Sequence, residues 1–195
     1  MSPNVGPNAS QRVGGVASKN PETEHHPSSR GLSVLLSVAG VVAAVLGWRA
    51  LVGMVAPDPT WSSMAVRLGA AALALLPAAL LLWLMVVAQM LARFVSAAFD
   101  PLSGADGYFL RLNQRVIANT VEQFLCFLPA LLALAAGTSA ARMPEVIALA
   151  LVFAAARLVF WLGYLGGPVL RAPGMAATFA AVTAALAGAA WVWLA

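Results

Sequence analysis

Charged side chains are scarce in this chain. Of its 195 residues only 9% are Asp, Glu, Lys or Arg, whereas 62% are hydrophobic, and the mean hydropathy is +0.87. Soluble domains carry charge on about a quarter of their residues, so this composition excludes an ordinary soluble fold. It predicts an all-α integral membrane protein built as one bundle of helices.

Cysteine and clustered basic residues are also lacking. Cys126 is the only cysteine, which excludes an intrachain disulfide. His25 and His26 are adjacent, but no Cys or carboxylate cluster at ligand spacing accompanies them, and we predict no metal site. The net charge of +4 comes from scattered residues, whereas nucleic-acid-binding proteins gather basic residues on one face. We therefore predict no nucleic-acid partner.

Five long apolar runs follow a polar amino-terminal segment. Residues 1–30 are rich in Pro, Asn, Ser and Gly, and such a segment buries too little apolar surface to offset the entropy of ordering. We therefore predict a disordered tail. A helix that spans a bilayer needs about 20 apolar residues. The runs that meet this requirement lie at about 31–56, 68–92, 113–137, 144–165 and 173–195.

The basic residues predict the orientation of these five spans. Seven lie on the side of the amino terminus: Arg12, Lys19, Arg30, Arg93, Arg111, Arg115 and Arg171. Three lie on the other side: Arg49, Arg67 and Arg142. Cytoplasmic loops carry the excess of Lys and Arg, so we expect the amino terminus in the cytoplasm and the carboxyl terminus outside. Several of the six tryptophans lie near predicted span ends, as in the aromatic belts of membrane proteins.

A polar stripe opens the third predicted span. Arg115, Asn119 and Glu122 stand at positions i, i+4 and i+7, and a helix with 3.6 residues per turn places them on one face. Glu122 is the one acidic residue in the apolar part of any predicted span.

The fourth predicted span carries a second polar pair. Arg157 and Tyr164 stand seven residues apart on one helical face, and Arg171 follows just past the end of the span. A charge at mid-bilayer costs about 2.5 to 3.5 kcal/mol on insertion scales, so intramembrane charges are usually paired, inward-facing and functional.

Two interpretations of these residues remain open. In the first, Glu122 neutralises Arg157 or Arg115, Asn119 bonds to another helix, and the cluster is purely structural. In the second, the excess of guanidinium groups binds an anion, for which a ligand carboxylate offers bidentate geometry. Because arginine outnumbers acid in the cluster, we favour a ligand site.

Both polar motifs resemble those of a known family. R-x-x-x-N-x-x-E is spelled by Arg115, Asn119 and Glu122, and R-x-x-x-x-x-x-Y by Arg157 and Tyr164. With the following segment "YLGGPVLRAPG", they resemble the membrane-associated proteins in eicosanoid and glutathione metabolism, the MAPEG family. The resemblance covers about residues 64–195 and implies a four-helix membrane domain. The tail at 1–30 and the span at 31–56 look like additions to that pattern, and arginine- and alanine-rich composition points to a bacterial inner membrane.

The resemblance implies a homotrimer that binds glutathione between subunits near the cytoplasmic face. The side chains implied to hold the tripeptide are those of Arg115, Asn119, Glu122, Arg157 and Tyr164. Glutathione would serve as co-substrate, and the second substrate would be a lipophilic molecule that reaches the site from the bilayer.

Arg171 is our candidate catalytic residue. A guanidinium favours the charged form of a neighbouring thiol and so lowers the pKa of that thiol. These features favour a glutathione-dependent transferase or peroxidase. The alternative is a non-catalytic lipid-binding or scaffold protein on the same fold. A transporter is disfavoured, since neither paired halves nor broken midplane helices are visible.

Overall fold

The computed structural model describes residues 27–98, 100, 104 and 106–194. Most of the predicted tail, residues 1–26, lies outside the described residues. The remaining four residues of that segment already belong to the first helix, which begins at Pro27 rather than at residue 31.

All the long elements of the described chain are helices. Five are α-helices, each long and apolar enough to cross a membrane: α1 (Pro27–Met54), α2 (Met64–Val95), α3 (Tyr108–Gly137), α4 (Met143–Gly166) and α5 (Ala172–Leu194). Short 3-10 turns at Pro59–Ser62 and Ala140–Arg142 join α1 to α2 and α3 to α4. The chain is an integral membrane protein of the predicted all-α class.

The core of the bundle combines small residues with one aromatic stack. Alanines such as Ala71, Ala135 and Ala185 are fully buried, and small side chains let membrane helices approach closely. Phe127 of α3 and Phe153 of α4 stack with their ring centroids 4.1 Å apart and their planes 4° from parallel. This packing fixes α3 against α4, the two helices that carry the polar motifs.

The turn between α4 and α5 places Arg171. Gly167 ends α4 with a φ of +146°, a conformation that only glycine adopts without strain. Gly163 lies against the backbone of Leu170, so closely that a Cβ on Gly163 would clash with it. The chain therefore folds back tightly on the end of α4, and Arg171 is brought beside the last turn of that helix.

Helix α1 packs on the outside of the bundle, against α5 and α4. Among the residues of α1 whose burial is described, only Gly40 is buried. This glycine lies directly against the backbone of Pro173. Further along, the indole Nε1 of Trp48 donates a hydrogen bond of 3.0 Å to the carbonyl oxygen of Glu145. These two contacts attach α1 at its middle and near its end.

Candidate functional site

Arg157 is a buried cation held by neutral oxygens. Its side chain is 1% exposed. Nη1 donates to Oδ1 of Asn119 at 3.1 Å, and Nη2 donates to Oγ1 of Thr120 at 2.7 Å. The Nε atom is buried without a partner in the described chain. Two hydrogen bonds from α3 therefore orient the guanidinium while leaving its charge uncompensated.

Glu122 does not neutralise this charge. In the described chain its carboxylate forms no ion pair with Arg157 or Arg115, and its side chain is exposed on the surface of the protomer. The predicted role of Glu122 as counter-ion is therefore wrong for the single chain, whereas the predicted bond of Asn119 to another helix is present.

The stripe on α3 divides between the inside and the outside of the bundle. Asn119 is half-buried and turns toward α4, whereas Arg115 and Glu122 are exposed. Neither exposed side chain makes a hydrogen bond or ion pair with any described residue. The predicted face exists, but only its middle member contacts the buried arginine.

A large pocket opens where the ends of α3 and α4 meet the α4–α5 turn. Its volume is about 690 Å³. The described residues that line it are Asp106, Tyr108, Arg111, Leu112, Gln114, Arg115, Tyr164, Pro168 and Arg171. Three of these side chains are guanidinium groups and one is a carboxylate, so the lining carries an excess of positive charge.

The single carboxylate of this lining already has a partner. Asp106 forms a bidentate pair with Arg93 at the end of α2, with both N–O distances 2.9 Å. Arg111 donates to the backbone carbonyl of Asp106. Arg115 and Arg171 thus keep guanidinium groups that no acid of the described chain neutralises, and both face a pocket open to an anion.

Two aromatic rings lie between the buried arginine and an arginine of this pocket. The guanidinium of Arg157 lies over the ring of Phe160, 4.1 Å from its centroid. Phe160 meets Tyr164 edge-on at 5.4 Å, and the guanidinium of Arg171 lies 4.8 Å from the centroid of Tyr164. Each contact suits the negative face of an aromatic ring. Tyr164 therefore lies between Phe160, which contacts the buried Arg157, and Arg171 of the pocket.

A buried polar network holds the three helices around the site. Nδ2 of Asn113 donates to Oε1 of Gln89 at 2.9 Å and to the carbonyl of Met85 at 3.0 Å. Its Oδ1 accepts from Nε1 of Trp161 at 2.8 Å. Nε2 of Gln89 donates to Oε1 of Gln114, a pocket residue, at 3.3 Å. The network ties α2, α3 and α4 together next to the pocket.

The six predicted site residues therefore fall into three groups. Arg115, Tyr164 and Arg171 line one pocket. Arg157 and Asn119 are hydrogen-bonded to each other next to it, and Glu122 stands apart on the outer surface of α3. The sequence reasoning missed Thr120 and the network around Asn113. A polar residue inside an apolar span was the available signal for Thr120.

A second, apolar cleft does not contain the motifs. It encloses about 350 Å³ between α1, α4 and α5, with Trp48 and Leu149 among its walls. The charged residues that border it, Arg142 and Glu145, pair with each other at 2.8 Å. None of the six predicted site residues lines this cleft, whereas Arg115, Tyr164 and Arg171 line the arginine-lined pocket at the other end of α4.

Comparison with known proteins agrees with the two motifs. The model of the MAPEG family matches residues 68–191, which include both motifs and the α4–α5 turn. The chain belongs to the MAPEG family. Searches of curated proteins and of solved structures find no match. In this MAPEG protein α2–α5 account for the family match, and α1 lies before its first residue.

Proposed function

We propose that this MAPEG protein is a glutathione-dependent transferase or peroxidase that acts on lipophilic electrophiles. The observation that carries the proposal is the arginine-lined pocket. Arg115 and Arg171 face about 690 Å³ of open space, and its one carboxylate is already paired with Arg93. The two carboxylates of glutathione match this surplus of guanidinium, and its one ammonium group calls for a carboxylate. Family membership supports the same class of ligand.

Each site residue has a role that its surroundings suit. Arg115 and Arg111 would pair with the carboxylates, because guanidinium binds carboxylate in a bidentate geometry. Tyr164 would bind the peptide backbone through its hydroxyl, since its ring is held between Phe160 and Arg171. Arg157 and Asn119 would support the pocket and attract the anionic tripeptide from the side.

Arg171 would generate the reactive thiolate. Its guanidinium makes no hydrogen bond with the described residues and rests on the Tyr164 ring. Placed next to the glutathione sulfur, it favours the thiolate over the thiol and so lowers the thiol pKa. The thiolate is the nucleophile in transfer to an electrophile and in reduction of a peroxide.

Glu122 would bind the glutathione ammonium of a neighbouring protomer. Along the axis of α3 it lies roughly 10 Å from the pocket residue Arg115, at a rise of about 1.5 Å per residue. An exposed carboxylate within a span is costly against acyl chains. We therefore expect this face of α3 to be covered in a homotrimer, with Glu122 of one chain beside the pocket of the next.

The pocket would open to the cytoplasm of a bacterial cell. Arg93, Arg111, Arg115 and Arg171 gather at the end of the bundle that the excess of basic residues assigns to the cytoplasm. The proposed membrane is the bacterial inner membrane, with the carboxyl terminus outside. Glutathione is a cytoplasmic thiol, so this orientation gives it direct access.

The test is glutathione binding and thiolate formation by the purified protein. Calorimetry should detect binding to the wild type, and Arg115→Ala should weaken it. The ultraviolet difference spectrum of the complex should contain a thiolate band that Arg171→Ala removes while binding remains. Absence of binding at millimolar glutathione would refute the proposal. Binding without a thiolate band would favour the non-catalytic alternative.

A further inference from the structure

A third cleft adjoins the arginine-lined pocket. It encloses about 380 Å³ between the first half of α1 and the start of α5. The described residues that line it are Ser33, Ser37, Pro168, Arg171, Ala172, Met175, Ala176 and Phe179. Pro168 and Arg171 line the arginine-lined pocket as well. The two spaces therefore meet at the same guanidinium.

Helix α1 supplies one wall of this cleft. Ser33 and Ser37 stand one turn apart on the face of α1 that turns toward α5, and Ser37 donates to the carbonyl of Ser33 at 2.8 Å. One turn further on, Gly40 packs directly against the backbone of Pro173. Small residues thus bring α1 close to α5 beside this cleft.

The lining has one charged end and an apolar remainder. Arg171 is the only charged residue among the described residues that line the cleft. Met175 and Phe179 lie one turn apart on α5, and the Phe179 side chain is exposed on the bilayer side. Pockets with apolar walls and a few placed polar groups bind amphiphilic small molecules in a fixed orientation. This cleft suits a single apolar chain that ends in a polar group.

We propose that this cleft binds the chain of the second substrate, a linear lipophilic α,β-unsaturated carbonyl compound, and presents its polar end to Arg171. The proposal rests on the proposed function, because the arginine-lined pocket must hold glutathione for the two molecules to meet. The hydrocarbon chain of the substrate enters from the bilayer past Phe179, and the carbonyl oxygen of the substrate lies against the guanidinium of Arg171. Helix α1, which precedes the family match, thus selects long-chain electrophiles.

The reaction at this junction is a conjugate addition. The glutathione thiolate forms a carbon–sulfur bond to the β-carbon, and the π electrons of the carbon–carbon double bond move to give an enolate. Arg171 stabilises the enolate oxygen. Water then delivers a proton to the α-carbon, and the carbonyl compound is released as its thioether. No external oxidant or reductant takes part.

Chain-length dependence tests this assignment. Ser37→Leu fills the α1 wall, and Ala39→Leu adds the same bulk on the lipid-facing side of α1. With dodec-2-enal, kcat/KM of Ser37→Leu should fall by about tenfold or more, because a mismatch of one methylene in an apolar pocket already costs about tenfold. With but-2-enal, and in glutathione affinity, Ser37→Leu should match Ala39→Leu. Equal losses with both enals, or none with either, would overturn the proposal.

A second measurement does not depend on glutathione. A diazirine-labelled long-chain enal should cross-link to the peptide that contains Met175 and Phe179, and unlabelled dodec-2-enal should compete with it. Ser37→Leu should suppress this cross-link, whereas Ala39→Leu should not. Cross-linking spread evenly over the lipid-facing helices would refute the cleft even if glutathione binds. If glutathione fails to bind while the cross-link persists, the proposed function fails and the lipophile site stands.

Discussion

Thr120 is expected to stabilise the protein through the charge of Arg157. The substitution Thr120→Val keeps the shape of the side chain and removes the hydroxyl that accepts from Nη2 of Arg157 at 2.7 Å. Thr120 is 2% exposed and Arg157 is 1% exposed, so water has little access to replace the lost acceptor. Nη2 would then join Nε, which already has no partner among the described residues.

The size of the effect follows from the charge. Hydrogen bonds between membrane helices average only about 0.6 kcal/mol, because the unfolded chain in the membrane finds other partners. A hydrogen bond to a charged group is worth about 1.5–3 kcal/mol, and a buried donor left unsatisfied costs a similar amount. We expect the charged case to apply, with a loss of about 2 kcal/mol of unfolding free energy. For a chain of this size that lowers Tm by roughly 4–8 °C.

The assay compares two buried threonines. Thr178 is 0% exposed, and its hydroxyl donates only to the backbone carbonyl of Gly174 at 2.7 Å. Thermal unfolding in detergent, followed by tryptophan fluorescence, should show a clear fall in Tm for Thr120→Val and a small one for Thr178→Val. If the two variants lose the same stability, the hydroxyl does not hold Arg157, and the account of the buried cation is incorrect.

Two further substitutions test how the helices around the site are held. Gln89→Met removes the side chain that bonds Asn113, Leu110 and Gln114, and should cost about 1–2 kcal/mol in the same unfolding assay; an unchanged Tm would show that the network is dispensable. Gly40→Val places a side chain against the backbone of Pro173 and should destabilise the packing of α1 on α5 by about 1–3 kcal/mol. Its control is Gly47→Val, since nothing lies within 4 Å of an added Cβ there, and equal effects would refute the close contact.

Much of the fold could be predicted because apolar length is a strong signal in a membrane chain. The ends of α3 at Gly137 and of α4 at Gly166 fall within a residue of the predicted ends of their spans. The polar ends of helices are less predictable: α3 begins at Tyr108, five residues before the predicted start. Those first turns carry Tyr108 and Arg111, which the predicted span leaves outside.

The partners across the bundle could not be read from the spacing along one helix. The motifs identified Arg157 and Asn119 correctly as polar residues of facing helices, but charge balance pointed to Glu122 as the partner of Arg157. The orientation of α3 about its axis, rather than charge balance, determines which residues contact Arg157. The orientation that turns Asn119 and Thr120 toward α4 turns Glu122 outward. Trp161 shows the same limit. Its indole donates to the buried Asn113 of α3, a contact that no spacing within α4 predicts.

The division of the motif between inner and outer surfaces bears on how the site is completed. Arg157 and Asn119 are hydrogen-bonded to each other within one protomer, so this contact needs no second chain. Arg115 and Glu122 carry opposite charges on the exposed surface of α3, and no described residue pairs with either. Acyl chains offer no compensation for such groups. A ligand that bridges protomers would satisfy both at once, which is why we expect glutathione binding and assembly of the protomers to be thermodynamically coupled.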